Sequence, residues 1–186
     1  MSLNVSRYLY TGIVDYDQHH KEVILQFLVA ADELGLSNLI QHIQDYLIDD
    51  EEYLHKDPVV PLEVIYQHET FENLKDYCLE IISAEPKILF TSQKFTSLEK
   101  PIITMVLQRD DLKMKEIEIW ESFLRWLFVH NLKSDDESTW SSETSTDIKQ
   151  IVQEYTPLIR FYDISKEDFF LKVYPYRNFL PQDLES

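Results

Sequence analysis

Residues 109–127 read RDDLKMKEIEIWESFLRWL. Two readings compete for this stretch. Asp110-Asp111 is a carboxylate pair of the kind that binds metals or moves protons, whereas the second half carries two tryptophans and a dense apolar pattern. Periodicity separates them. Ile117, Trp120, Leu124, Leu127 and Phe128 fall on one stripe of a helix running from about Lys115 to Asn131, and Ile119, Phe123 and Trp126 fall on a second. Two wide apolar stripes describe a central helix covered from both sides, so the tryptophans are read as core anchors. Asp110-Asp111 precedes that helix and reads as a connection, solvated or capping.

Around this helix the chain continues in the same style. Ile24, Leu25, Leu28 and Ala31 form one face of a helix over 21–31, with Val23, Phe27 and Ala30 as a second stripe that predicts cover on two sides. Gly35 breaks the pattern, and Leu36, Leu39, Ile40, Ile43 and Leu47 then recur at helical spacing. Asp49-Asp50-Glu51-Glu52 reads as an acidic close to that unit. Pro61 sits in the first turn of a short helix reaching about Gln67. Leu74, Tyr77, Cys78, Ile81 and Ile82 share a helix face, Lys87 to Phe90 make a turn, and Pro101 opens another helix. Residues 133–147 read as an exposed loop, with Trp140 docking on the core and Ser134, Ser138 and Ser141 open to phosphorylation. Helix resumes from Ile148 to Tyr155. Ser165 caps a last helix that buries Phe169, Phe170 and Val173. Strand character is confined to a short piece near Ile13-Val14. The fold class is all-α.

Composition narrows function. Of 186 residues, 44% are hydrophobic, and only two are glycine, which leaves little from which to build a phosphate-cradling loop. The net charge of −17 opposes nucleic acid and anionic membranes as partners. No apolar run approaches the length of a transmembrane span. The single cysteine, Cys78, excludes an internal disulfide and fits a reducing compartment, the cytoplasm or nucleus. The best metal-like group is Asp15, Asp17, His19 and His20, but adjacent histidines diverge in helix and strand alike. His42, His55, His68 and His130 are scattered and single, and Cys78 lies on an apolar face. No serine has the glycine-flanked elbow of a hydrolase. These readings expect no cofactor, no metal and no catalysis, with a metal-dependent hydrolase as the remaining enzyme alternative.

The order of motifs then says more. RYLYTGIVDYD followed by VILQFLVAADELGLSNLIQHIQDYLI resembles the C-terminal part of a BTB/POZ domain. SLEKPIITMVLQRDDLKMKEIEIWESFLRWL and YTPLIRFYDISKEDFFLKVYPY resemble the helical BACK domain that follows BTB in many adaptors. The resemblance implies a C-terminal BTB fragment over 1–50, a BACK domain over 51–178 and a tail or linker over 179–186. It also implies a non-catalytic spacer and interaction module of an adaptor for a cullin-3 ubiquitin ligase. The 3-box helix pair would lie within Val59 to Phe90, and Leu34, in AADELGL, falls where family members place an apolar cullin contact. On this reading the front of the BTB fold is missing, so homodimer formation is expected only with a complete BTB. The substrate protein would bind a separate domain. A scaffold of the same fold without a cullin connection is the alternative.

Overall fold

A computed structural model describes residues 20–131 and 142–181 of the chain. The described residues are mostly helical, with no strand among them. The short extended piece expected near Ile13-Val14 lies outside them, as do Asp15, Asp17, His19, Ser134, Ser138, Trp140 and Ser141. No described helix is long and apolar enough to cross a membrane. The chain forms two compact units, Met1–Ala84 and Glu85–Ser186. The helices between residue 50 and Ala84 pack onto the pair before them and belong to the first unit.

In the first unit, α1 (Lys21–Glu33) and α2 (Ser37–Asp49) form an α-hairpin. They are followed by α3 (Glu51–Lys56), α4 (Val59–Ile65) and α5 (Glu72–Ala84). The core is the set the periodicity selects: Leu28, Ala31, Leu39, Ile43, Leu47, Leu74 and Cys78 are fully buried. Apolar burial there pushes the Cys78 thiol up to about 12, so it behaves as a small hydrophobe. One polar side chain enters this core. Gln44 Nε2 donates to the Thr70 carbonyl at 3.2 Å, and its Oε1 accepts from the Leu74 amide at 3.2 Å. Leu74 is in the first turn of α5, so Gln44 satisfies an amide that its own helix leaves without an acceptor.

Two expectations change in this unit. The acidic run does not close a segment but starts one: Asp50 Oδ1 caps α3 by accepting from the Tyr53 amide at 3.1 Å. The second stripe of α1 is covered only in part. Phe27 is buried, yet Val23 is 42% exposed and Ala30 is half-buried. Leu34, continuing the stripe, is 57% exposed.

On α3, the Tyr53 hydroxyl is buried without a hydrogen-bond partner. Burial, with Glu22 and Asp57 nearby, pushes this phenol above its ordinary value. An unsatisfied buried hydroxyl costs roughly 1–3 kcal/mol. Tyr53→Phe removes that cost without removing the ring, so it should stabilise the chain by about 1 kcal/mol. Thermal melting followed by helix ellipticity checks this; a lower melting temperature would refute it.

The second unit contains α6 (Lys87–Phe90), α7 (Lys100–Leu107), α8 (Glu116–Asn131), α9 (Ser142–Tyr155) and α10 (Lys166–Asp168), joined by 3₁₀ turns at Phe95–Ser97, Thr156–Leu158 and Phe161–Asp163. A π-turn, Phe169–Val173, and a 3₁₀ segment, Tyr174–Phe179, complete it. Helix α8 is the central element. Trp120 and Trp126 are 0% and 1% exposed. The Trp120 stripe faces the C-terminal segment, where the indole N–H donates to the Lys172 carbonyl at 3.1 Å and the ring meets Phe161 edge-on. The Trp126 stripe faces the other way: its N–H donates to the Leu98 carbonyl at 2.7 Å, and Tyr155 of α9 lies 5.7 Å from the ring.

Helix α9 begins at Ser142, so residues 142–147 are helix rather than the loop expected over 133–147. Ser165 caps α10 as expected, its hydroxyl accepting from the Asp168 amide at 3.1 Å. Phe170 departs from expectation. It is 65% exposed, while Val173 is fully buried, because the wider π-turn shifts the helical phase between them.

Candidate interaction surface

The carboxylate pair of the opening stretch is divided between two cations. Asp111 forms a two-pronged pair with Arg109, at 2.8 Å and 2.6 Å. Asp110 instead accepts from Arg160 Nη2 at 2.7 Å, and that nitrogen also donates to the Arg109 carbonyl at 2.8 Å. The same Arg160 meets Glu116 at the start of α8. Its backbone amide donates to Glu116 Oε1 at 2.8 Å and its Nη1 approaches Oε2 at 3.3 Å. Glu116 is only 8% exposed, so this carboxylate is buried and satisfied at once. The hydrogen bond that Arg160 donates to Asp110, then the charges of Glu116 and Asp110, raise the Arg160 pKa further. The cluster fastens the connection before α8 to the segment after Ile159. Asp111 pairs with Arg109 while Asp110 and Glu116 share Arg160, an arrangement suited to holding backbone in place rather than to sharing a proton or a metal.

In the first unit the informative geometry lies at the end of α1. Gly35 adopts φ +65°, the left-handed conformation. The Gly35 amide donates to the Asp32 carbonyl at 2.9 Å and the Leu36 amide to the Ala31 carbonyl at 3.0 Å. This is a Schellman cap, and it leaves Leu34 at the rim of the turn. Asp32, in the last turn of α1, is clamped by the segment that precedes α5. Thr70 Oγ1 donates to Asp32 Oδ1 at 2.6 Å, and His68 Nδ1 donates to Oδ2 at 2.8 Å. His68 also stacks on Phe71, with ring centroids 4.6 Å apart. Just beyond Leu34, residues Gly35 to Leu39 line a shallow pocket of about 290 Å³.

The Thr70 and His68 hydrogen bonds hold the Asp32 carboxyl below its ordinary value. A depressed native pKa contributes stability that is present above the unfolded value near 4. That contribution is lost as pH falls through the native one. The chain should therefore melt at progressively lower temperature as pH drops below about 4. Thr70→Val, which removes the larger cause, should flatten that dependence. Melting curves between about pH 5 and pH 2 compare the two slopes, and equal slopes would refute the clamp.

Leu34 thus stands exposed on a fixed turn. His20 is exposed at the start of α1, without a capping bond from its side chain. Among the described residues no group of three His, Cys, Asp or Glu side chains is placed to hold a metal ion. Sequence reading missed Asp32, His68 and Thr70 as a group, and Arg160 with Glu116. The partners are 36 to 44 residues apart and follow no period. Compared with protein-family models, curated proteins and solved structures, the chain finds no match.

Proposed function

We propose that this chain is a non-catalytic interaction and spacer module of a BTB–BACK adaptor, engaging cullin-3 through the turn that carries Leu34. The carrying observation is that Leu34, an apolar side chain, is 57% exposed at the capped end of α1. A buried leucine would pack the helix end and serve the fold alone. An exposed one on a fixed turn, with exposed Ser37 and Asn38 beside it, suits a small apolar anchor inside a polar rim. The helical order of both units is compatible with the motif order from which the resemblance was drawn. On this reading α4 and α5 belong to the 3-box segment, and the second unit acts as a spacer whose rigidity comes from the buried faces of α8. Substrate selection then belongs to another domain.

Titration of cullin-3 with the chain tests the proposal directly. Saturable binding is expected, and Leu34→Asp should weaken it by about tenfold or more, the scale of an interface anchor. Because Leu34 is exposed, the substitution should leave the melting temperature within about 2 °C of wild type. Absence of binding would sink the ligase reading and favour a scaffold of the same architecture. Binding unaffected by the substitution would remove Leu34 from the contact.

A further inference from the structure

Val23, Phe27, Ala30 and Leu34 recur at i, i+4, i+7 and i+11, the spacing of a coiled-coil seam, along about 16 Å of α1. Only Phe27 is buried; the others stand open or half-open. The seam is edged by exposed Glu22, Gln26 and Glu33. Helix α1 holds one cation, Lys21, and it is turned away. Its ammonium pairs with Asp50 at 2.6 Å, donates to the Tyr46 hydroxyl at 3.1 Å and lies over that ring. The edge formed by α1 is therefore acidic and polar, with no other lysine or arginine of that helix to offset it. The wider charge distribution agrees. Residues 1–84 contain 4 Lys and Arg against 16 Asp and Glu, a net of −12, whereas residues 85–186 contain 13 against 18, a net of −5.

We infer that the Val23–Ala30–Leu34 seam of α1 is a docking face for a basic amphipathic helix of a partner protein. The three-turn seam matches the spacing at which a second helix presents its own apolar residues. Charge complementarity supplies the flanks: lysine or arginine beside the partner's apolar stripe meets Glu22 and Glu33. The shallow pocket at Gly35 to Leu39 adjoins the Leu34 end of the seam in the chain and offers room for a terminal anchor. A phosphate backbone or an anionic bilayer is repelled by the same field that attracts such a helix. This inference goes beyond the cullin reading, since it specifies partner chemistry and depends on no ligase.

The test uses the 186-residue chain and a synthetic helical peptide of about 18 residues, five turns. The peptide carries leucine at the seam spacing, flanked by lysine and arginine; a control replaces every flanking cation by glutamate. The basic peptide should bind saturably, as read by calorimetry, and the control should not. Val23→Asp should weaken binding at least about tenfold although it adds attractive charge, which isolates the apolar contact. Glu22→Lys with Glu33→Lys, both at exposed positions, should weaken it severalfold with an unchanged melting curve. Raising salt to about 0.5 M should reproduce that loss in the unsubstituted chain.

Equal binding of the acidic control, or unchanged binding by Val23→Asp and by the double charge reversal, overturns the proposal. So does absence of peptide binding with a large drop in melting temperature for Val23→Asp, which would assign the seam to residues 1–19 of this chain. Cullin-3 failing to bind while the basic peptide binds removes only the ligase reading. Cullin-3 binding without peptide binding removes only the docking face.

Discussion

Trp126→Ala is expected to lower the unfolding free energy of the second unit by about 3–5 kcal/mol, the range for truncating a fully buried aromatic. Three losses coincide at this position. The indole is 1% exposed, so its apolar area leaves the core and a cavity remains. Its contacts with Phe123 and Tyr155, at ring separations of 6.1 Å and 5.7 Å, disappear. The carbonyl of Leu98, a fully buried residue, loses its donor. Trp126→Phe separates the last loss from the first two, because it keeps a ring but has no N–H. It should cost about 1–3 kcal/mol, mostly the unsatisfied acceptor. Urea unfolding followed by the fluorescence of the remaining tryptophans measures both. A Trp126→Ala cost below about 1 kcal/mol would contradict a two-sided core around α8.

Arg160→Met should be the second most damaging of these changes, at about 2–3 kcal/mol. Methionine approximates the length of the side chain but leaves the Glu116 carboxylate nearly buried and without its guanidinium. The arginine side chain is 31% exposed, which places the effect below that of a wholly buried pair. The backbone amide of residue 160 still donates to Glu116, a further reason for the lower figure. Adding Glu116→Gln to Arg160→Met removes the stranded charge and should recover part of the loss. A double-mutant cycle in urea reads the coupling directly. If the two substitutions simply add, the pair is not the clasp described above.

Some elements are legible in the chain and others are not, for reasons that differ in kind. Helices α1, α2, α5 and α8 each span three or more turns, long enough for a 3.6-residue period to register. The six residues of α3 hold less than two turns, so Asp50 passes for the end of a segment instead of a cap. The first turns of α9, SETSTD, contain no apolar residue and carry no periodic signal. Phe170 is misread because a π-turn changes the angle per residue, which no pattern of side chains announces. The acid–base groupings fail for a simpler cause. Which of 34 acids meets a given arginine is decided by tertiary contact, and local spacing is silent on it. Leu34 is singled out by resemblance alone, while its exposure is a property only the folded turn displays.

The capped end of α1 has a thermodynamic consequence for whatever binds there. A flexible loop loses about 1–2 kcal/mol of conformational entropy for each residue it orders on association. Residues 34 to 36 have already surrendered that freedom during folding, through the two cap hydrogen bonds and the Asp32 clamp under them. A partner seated on Leu34 therefore meets a preorganised edge, and a small contact can reach useful affinity without a large interface.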